Sequence, residues 1–474
     1  MAASGHRPGR DATFIGLMVK AILLGSITLL GASTAASVPT AQPQPPARPN
    51  VVILLADDMG YGDLGSYGHP SIKTPHLDRL AAQGMRFTSF VTGAWCVPSR
   101  TQLLTGRYMP RVKFGGETGA DGEGGLPDSE VTLAEGLKGA GYATAMVGKW
   151  HLGYKQKKFL PPNQGFDYWF GLPYSNDYTR PWVQTDEPLA LYRGTEIVTH
   201  PIDQDTLTID QTKEAVTLIE RYAGKAQPFF LYVAYSMPHL PVNTTGKFRG
   251  QSAAGLYGDV VETIDWSVGQ VLEALTRHGL TDKTIVFFAS DNGPWLNPPK
   301  RMLQAGNELW HAGSPGPLRG SKATTYEGGT RVPAMIRWPG HVPPSQVSDA
   351  LVAMPDIYRT LLEVGRATLP DHPLDGYDLM PFLTGRTRES PRNEYFYFFH
   401  GELEAMRQGA WKLRIAGGQP ELFNLQLDPG ERYNRADEKP EIVDQLERRM
   451  RQFADEVGSK IRREGASRDS REQP

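Results

Sequence analysis

Short apolar runs, rich in β-branched and aromatic residues, recur along the chain with helical patterns between them. Within each run the apolar positions are continuous rather than alternating, which is typical of strands buried on both faces of a sheet. The runs are residues 50–56, 142–147, 228–235, 284–289 and 333–338. This pattern predicts an α/β sandwich, in which helices cover a large mixed, mainly parallel sheet.

The segments between these runs carry the end signals and periodicity of helices. One helix is predicted to begin at Pro75, because the fixed φ of proline suits a first helical position, and to end near Gly84. Ser129 is the predicted N-cap of a second helix. Apolar residues at three- and four-residue spacing within 258–278 predict a long amphipathic helix.

The pattern changes after about residue 385 to short strand-like segments separated by polar or glycine-rich turns. Residues 394–400, 405–415 and 421–427 predict a small antiparallel sheet, and 439–457 predict one amphipathic helix. We therefore predict a large domain over 49–385 and a C-terminal antiparallel subdomain over 386–458. The charged end, 459–474, is predicted to be a disordered tail.

The N-terminus has the layout of a secretory signal. Basic residues precede an apolar stretch at 21–32, and small residues follow it. The stretch is about 12 residues long, too short to span a bilayer comfortably, although an uncleaved anchor is the alternative. We predict a signal peptide over 1–36, a proline- and glutamine-rich linker over 37–48, and export to the periplasm or medium without stable membrane insertion.

Composition and charge narrow the possible functions. The chain has 474 residues, of which 39% are hydrophobic and 22% charged, so it can build a large core. Its net charge is -2 and its basic residues are spread out, which argues against nucleic acid as a partner and favours a small molecule or glycan. A single cysteine, Cys96, cannot form an internal disulfide, and in an exported protein it is a candidate for special chemistry.

Polar side chains follow four of the predicted strands directly. They are Asp57, Asp58, Lys149, His151, His239, Asp291 and Asn292. In open α/β sheets ligands bind beyond the carboxyl ends of the strands, so these side chains are predicted to share one rim. The carboxylates and the amide suit a hard cation such as calcium or magnesium. Each acidic pair alone would more often be a turn or helix cap, but two pairs at two strand ends favour the metal site.

The sequence around Cys96 carries the most specific signal. An isolated cysteine is usually a small buried hydrophobe. Here Cys96 opens the string Cys-Val-Pro-Ser-Arg, and Thr-Gly-Arg follows at 105–107. This pattern resembles the signature of the type I sulfatases, in which the cysteine is oxidised to formylglycine.

Further motifs of that family follow in its order. They are 148–153 (Gly-Lys-Trp-His-Leu-Gly), 238–239 (Pro-His), 290–293 (Ser-Asp-Asn-Gly), 320–322 (Gly-Ser-Lys) and 327–333. The sequence resembles the type I sulfatases well over 49–340 and more loosely in the C-terminal part. This resemblance implies an alkaline-phosphatase-like fold, with 49–385 as the catalytic domain, and a formylglycine-generating enzyme as a partner during maturation.

The resemblance also implies a role for each matching residue. The implied ligands of one calcium ion are Asp57, Asp58, Asp291, Asn292 and the modified Cys96. Arg100 would hold the hydrated aldehyde, Lys149 and Lys322 would grip the sulfate, and His151 and His239 would handle protons. Without the resemblance, Lys322 would be interpreted as a surface residue and His239 as part of a rigid turn. His69, His311 and His400 are further candidates that the sequence does not rank.

The predicted function is hydrolysis of an aryl or carbohydrate sulfate monoester. Negative charge builds on the bridging oxygen during attack at sulfur, so the reaction needs nearby cations and a proton for the leaving group. One alternative is a phosphodiesterase or phosphonate hydrolase of the same superfamily. Another is an inactive protein that binds sulfated glycans, which the presence of every expected charged residue disfavours. Aromatic loops at 168–182 and 295–310 are predicted to shape the leaving-group side.

Overall fold

A computed structural model describes residues 48–114 and 118–462. The predicted signal peptide at 1–36, the linker residues 37–47 and the tail residues 463–474 lie outside the described residues. Within the described ranges, no helix is both long enough and apolar enough to cross a membrane.

The strands and helices of the described residues follow in chain order. The strands are β1 (Asn50–Ala56), β2 (Met85–Phe87), β3 (Phe90–Val91), β4 (Ala143–Gly148), β5 (Tyr168–Gly171), β6 (Leu191–Arg193), β7 (Glu196–Thr199), β8 (Phe229–Ala234), β9 (Thr284–Ser290), β10 (Ala334–Arg337), β11 (Gln346–Ser348), β12 (Val352–Ala353), β13 (Glu394–Phe399), β14 (Glu402–Gln408), β15 (Trp411–Arg414) and β16 (Glu421–Asn424). The α-helices are α1 (Pro75–Ala82), α2 (Cys96–Thr105), α3 (Met109–Val112), α4 (Leu133–Gly139), α5 (Leu207–Tyr222), α6 (Gly255–Arg277), α7 (Glu327–Thr330), α8 (Met354–Gly365), α9 (Met380–Leu383) and α10 (Pro440–Val457).

The large sheet confirms the predicted α/β fold. Its strand order is β11-β2-β10-β9-β1-β8-β4-β5-β6-β7. The five strands from β9 to β5 run parallel, whereas β10, β6 and β7 pair antiparallel with their neighbours. Because β1, β4, β8 and β9 are parallel, their carboxyl ends meet at one edge of the sheet.

Both faces of the central strands are buried, which explains their continuous apolar runs. In β1, Val52 and Leu54 belong to one core with residues of α1, α5 and α6. Val51 and Ile53 point to the opposite core, which includes residues of α2, α4 and α8. Side chains alternate along a strand, so a strand between two helical layers needs apolar residues at every position.

A second, four-stranded sheet forms the C-terminal part. Its strands β13 to β16 are antiparallel neighbours in chain order, and they share an apolar core with α10. The prediction of one strand over 405–415 is wrong, because a turn at Gly409 divides this stretch into β14 and β15. Gly409 has a φ of 57°, a conformation that glycine adopts without strain.

The N-cap of α4 also differs from the prediction. Thr132, not Ser129, precedes the helix, and its hydroxyl accepts a hydrogen bond from the Glu135 N–H at 3.0 Å. The Glu135 carboxylate accepts one in return from the Thr132 N–H at 2.7 Å. The hydroxyl of Thr132 also donates to the Gln164 carbonyl at 2.8 Å, which holds the cap against a neighbouring turn.

Replacing this cap is expected to destabilise the protein. Thr132→Ala removes the hydroxyl from a buried helix start, so we expect a loss of about 1 kcal/mol in the free energy of unfolding. Urea denaturation measures the change. Ser129→Ala is the matched control, and its effect should stay within about 0.5 kcal/mol. Equal losses in the two variants would contradict the observed cap.

Candidate active site

The seven polar residues that follow the central strands lie at one edge of the large sheet. Backbone hydrogen bonds continue past the strand ends and fix them there. The Asp57 N–H donates to the Met237 carbonyl at 3.2 Å, and the Asp291 N–H donates to the Ala56 carbonyl at 3.0 Å. The site is therefore built on the rigid part of the sheet, which holds side chains more precisely than a free loop does.

A glycine turns the chain into the site after β4. Gly148 has a φ of 105°, and a Cβ atom at this position would lie 1.8 Å from the carbonyl oxygen of Ala234. Only glycine fits so close to the neighbouring strand. The Lys149 N–H then donates to the same carbonyl at 2.8 Å. His151 follows with a φ of 62°, and its side chain is buried.

Cys96 is the first residue of α2 and lies at the centre of the charged groups. Its Sγ is 3.3 Å from Asp57 Oδ1, 3.5 Å from Lys149 Nζ and 3.7 Å from Lys322 Nζ. Burial raises the pKa of the Cys96 thiol, and the neighbouring carboxylates raise it further. A thiol in this environment stays protonated and is a poor nucleophile.

Three buried carboxylates and one amide gather beside Cys96. The Asp58 N–H donates to Asp291 Oδ1 at 3.2 Å, and Asn292 Nδ2 donates to Asp58 Oδ1 at 2.7 Å. Burial raises the pKa of Asp58 to about 7, and repulsion from Asp57 and Asp291 contributes, although Lys322 opposes it. Asn292 Oδ1 is buried and accepts no hydrogen bond from the described residues. A divalent cation would offset the repulsion among the three carboxylates and would give the Asn292 amide oxygen a partner. The donor set therefore fits a hard metal ion.

His239 is also close enough to join this group. Single ligand atoms of Asp57, Asp58, Cys96 and His239 all lie within 4.8 Å of one another. The Nε2 atom of His239 is 3.6 Å from Asp58 Oδ2, and its Nδ1 atom lies 2.5 Å from the Leu240 carbonyl oxygen. Burial and the Lys322 ammonium hold the pKa of His239 well below its usual range.

Three buried cations balance the carboxylates. Arg100 donates to Asp291 Oδ2 at 2.9 Å and 3.1 Å and to the Lys149 carbonyl at 2.7 Å. Lys149 Nζ is 2.5 Å from Asp57 Oδ2, and Lys322 Nζ is 2.9 Å from Asp58 Oδ2.

These ion pairs keep Asp57 and the two lysines charged. Burial alone would raise the pKa of Asp57, but the attraction of Lys149 and its cationic neighbours outweighs this and lowers it strongly. Burial likewise opposes the charge of Lys322, yet the Asp58 carboxylate raises its pKa above the ordinary value. Burial also opposes the charge of Lys149, but the Asp57 carboxylate raises its pKa, so both ammonium groups next to Cys96 stay protonated.

The chain matches one enzyme family over most of its length. The family model described as Sulfatase matches residues 49–366. The chain belongs to the sulfatase family. A second model, described as N-sulphoglucosamine sulphohydrolase, C-terminal, matches residues 321–456. The protein is thus a sulfatase, a hydrolase of sulfate esters.

Individual sulfatases are similar to it along most of both chains. The N-acetylgalactosamine-6-sulfatase of Sus scrofa is 39% identical over 452 residues, covering 84% of each protein. Arylsulfatase A of Homo sapiens is 38% identical, covering 84% of this chain and 86% of its own. The crystal structure of PsFucS1 sulfatase from Pseudoalteromonas sp. superposes with a TM-score of 0.77 at 26% identity, covering 87% of this chain and 91% of that one.

The structure brings two further residues into the site of this sulfatase. Ser175 Oγ lies 3.1 Å from Lys149 Nζ and 3.5 Å from His239 Nε2. The Lys322 ammonium lies 4.4 Å from the centre of the Trp295 ring, within cation–π distance. The sequence analysis included Ser175 only as part of the loop at 168–182 and did not single it out, because β5, the strand that precedes it, was not among the predicted strands.

The remaining histidine candidates have structural contacts. The His69 ring nitrogen accepts hydrogen bonds from the Ser71 and Ile72 N–H groups in a turn. His311 accepts one from the Glu308 N–H. The His400 ring packs against the Trp95 ring, with 5.1 Å between the two ring centres.

Proposed function

We propose that this sulfatase releases sulfate from an aryl or carbohydrate sulfate monoester with Cys96 in its formylglycine form. The observation that carries the proposal is the place of the single cysteine, whose Sγ lies 3.5 Å and 3.7 Å from two buried ammonium groups. Its raised pKa argues against a role as a plain thiolate. The relative named N-acetylgalactosamine-6-sulfatase supports a carbohydrate sulfate as the substrate.

Mass spectrometry of the peptide that contains Cys96 tests the modification. We expect the mass of the aldehyde rather than that of the thiol in protein made with its maturation enzyme. An unmodified thiol in fully active enzyme would contradict the proposal.

Calcium is the proposed metal. Asp57, Asp58, Asp291 and Asn292 would hold it, because three carboxylates and an amide oxygen are the ligands that calcium prefers. The ion would supply positive charge to the sulfuryl group. The unsatisfied Asn292 Oδ1 supports this assignment.

Binding of calcium is expected to stabilise the enzyme measurably. A hundredfold excess over its Kd should add about 2.7 kcal/mol to the free energy of unfolding and raise Tm by a few degrees. Differential scanning fluorimetry after chelation and after re-addition of calcium or magnesium measures the shift. Asn292→Ala should lose most of it. An identical Tm with and without calcium would contradict the assignment.

The cations are proposed to bind the sulfuryl oxygens. Lys149 and Lys322 lie within 3.7 Å of Cys96 Sγ, where a sulfate next to this residue would meet both of them. Such preorganised charge stabilises a transition state best in a buried site. Arg100 would hold the aldehyde hydrate, and its bonds to Asp291 and to the Lys149 carbonyl fix its direction.

The two histidines are proposed to move protons. An aldehyde hydrate supplies two hydroxyls on one carbon, one to attack sulfur and one whose deprotonation releases the sulfate. His151 suits the deprotonation, because its buried Nδ1 has no partner among the described residues, and because burial and Lys149 lower its pKa. His239 would give a proton to the leaving oxygen. Its Nε2 atom lies 3.6 Å from Asp58 Oδ2 and 3.5 Å from Ser175 Oγ, so it faces the group of charged residues where the leaving oxygen would lie.

A comparison of substrates tests the function against its alternatives. Because the chain is a sulfatase by family, we expect kcat/KM for an aryl sulfate to exceed that for an aryl phosphodiester. Dominant phosphodiesterase activity would instead support the superfamily alternative. Binding of sulfated glycans without sulfate release by a confirmed aldehyde form would support an inactive binding protein.

We also infer how the protein matures. The signal-like N-terminus supports export to the periplasm or medium, and Cys96 would be oxidised by a formylglycine-generating enzyme. Fractionation of expressing cells, with N-terminal sequencing of the exported protein, tests the export and the cleavage site.

The domain limits, 49–385 for the catalytic domain and 386–458 for the C-terminal subdomain, stay a prediction.

A further inference from the structure

One segment, residues 319–331, runs from the active site to the C-terminal sheet and carries Lys322. At its active-site end, the Lys322 N–H donates to the Pro294 carbonyl at 2.9 Å and the Ala323 N–H donates to the Ala94 carbonyl at 2.8 Å. The Lys322 side chain then reaches Asp58 and Cys96. The position of its ammonium group therefore depends on where the backbone of this segment lies.

The other end of segment 319–331 is bound to the C-terminal sheet through side chains. The Thr325 hydroxyl donates to Glu404 Oε2 at 2.7 Å, and Arg414 Nε donates to the same hydroxyl at 3.1 Å. The Tyr326 hydroxyl donates to Glu421 Oε2 at 2.9 Å. The three partners lie on β14, β15 and β16, so every strand from β14 to β16 holds the segment.

A fully buried ion cluster lies at the centre of this junction. Lys412 Nζ on β15 is 2.9 Å from Glu327 Oε1 and 2.9 Å from Glu431 Oε1, and all three side chains are 0% exposed. The Glu327 N–H donates to Glu431 Oε2 at 2.7 Å, and the Tyr397 hydroxyl donates to Glu327 Oε1 at 3.0 Å. Charges removed from water persist only with close partners, so this cluster permits little displacement.

Contacts inside the segment connect the ion cluster to Lys322. The Thr324 hydroxyl donates to the Ser321 carbonyl at 2.7 Å, and the Gly328 N–H donates to the Arg319 carbonyl at 2.6 Å. A Cβ atom on Gly329 would lie 2.4 Å from the Ser321 oxygen, so the two ends of the loop touch. A displacement of the backbone at Glu327 would therefore also move Lys322, which lies five positions earlier.

We propose that the C-terminal sheet is a positioning element of the active site, which holds the Lys322 ammonium beside Cys96 through Glu327, Lys412 and Glu431. The inference rests on the proposed sulfate-binding role of Lys322. It assigns Lys412 a positioning role, since its ammonium contacts glutamates of the junction rather than the reacting groups.

The test is a double-mutant cycle between Lys412 and Lys322. Lys412→Met keeps the length of the side chain and removes its charge. We expect it to lower kcat/KM for an aryl sulfate roughly tenfold and to raise the inhibition constant of inorganic sulfate by a similar factor, because a small misplacement of a binding group is costly. In a Lys322→Ala background the same change should have no further effect on either quantity.

A matched control separates positioning from general loss of stability. Arg392 forms a comparably buried ion pair with Asp356, at 2.6 Å. Its guanidinium also donates to the carbonyls of Glu394 and Asp375 and lies 4.9 Å from the centre of the Tyr377 ring. Arg392→Met should lower Tm but leave kcat/KM and sulfate inhibition within about twofold of wild type when assayed well below Tm. Thr325→Val is the milder variant of the junction, and it replaces Lys412→Met in the cycle if the latter does not fold.

The outcomes separate this inference from the proposed function. Full activity in Lys322→Ala would overturn both. A strong loss in Lys322→Ala without any effect of the junction variants would overturn the positioning role alone. Losses that multiply in the double variant would also overturn it, because they show that Lys412 acts independently of Lys322. An equal loss in Arg392→Met would overturn it as well, because it indicates a general effect on folding.

Discussion

Replacing Cys96 with alanine is expected to lower kcat/KM for an aryl sulfate by at least about 10⁴-fold. Alanine cannot be converted to an aldehyde, so the site would keep its cations but lose the group that attacks sulfur. The fold should tolerate the change, since a cysteine and an alanine differ by one buried sulfur atom. Steady-state kinetics and Tm of the purified variant measure both quantities.

Cys96→Ser provides the sharper comparison. A serine hydroxyl can attack sulfur but has no second hydroxyl on the same carbon to expel the sulfate. We expect at most one turnover per molecule, after which the protein carries a covalent sulfate visible by intact-mass spectrometry. Wild-type turnover in Cys96→Ala would disprove the central role of this residue. Repeated turnover in a serine variant shown to be unmodified would disprove the two-hydroxyl argument.

Replacing His239 with alanine is expected to slow the hydrolysis of poorly activated sulfates by about 10²–10⁴-fold. The leaving oxygen of an alkyl or sugar sulfate is strongly basic and needs a proton as the bond to sulfur breaks. The leaving oxygen of a nitrophenyl sulfate needs far less help. Activity measured over a series of leaving groups should therefore show a loss that grows with the pKa of the leaving alcohol.

The control for this prediction is a histidine outside the site. His278 is exposed at the end of α6, and His278→Ala should leave the whole series unchanged. A uniform loss across all leaving groups in His239→Ala would argue against proton donation. It would instead indicate a role for His239 in binding the metal or the sulfate, which its distance of 3.6 Å from Asp58 also permits.

The central strands could be predicted because their environment constrains every position. All seven residues of β1 are buried, so the run from Asn50 to Ala56 has the same bounds in sequence and structure. The hairpin of β14 and β15 was harder to predict, since Gly409 lies inside an otherwise strand-like stretch. Only the backbone conformation of Gly409 reveals the turn. The cap of α4 was misplaced for a similar reason, because Ser129 and Thr132 are equivalent by residue type and differ only in the bonds they make.

The residues around Cys96 were predictable for a different reason. Parallel strands bring their carboxyl ends together, so polar residues after β1, β4, β8 and β9 had to meet at one edge. Ser175 follows the same rule after β5, but it stands four residues beyond the strand, and an ordinary serine in a loop gives no signal of its own.

The sequence by itself determined the layered α/β fold, the edge at which the polar residues gather, and the special place of Cys96. These features depend on short-range patterns, namely apolar runs and fixed motifs. Only the tertiary structure decided which charges pair, that Ser175 bridges Lys149 and His239, and that Lys412 contacts Glu327 from 85 positions away. Such contacts join distant parts of the chain, and their geometry is set by packing, which no local pattern encodes.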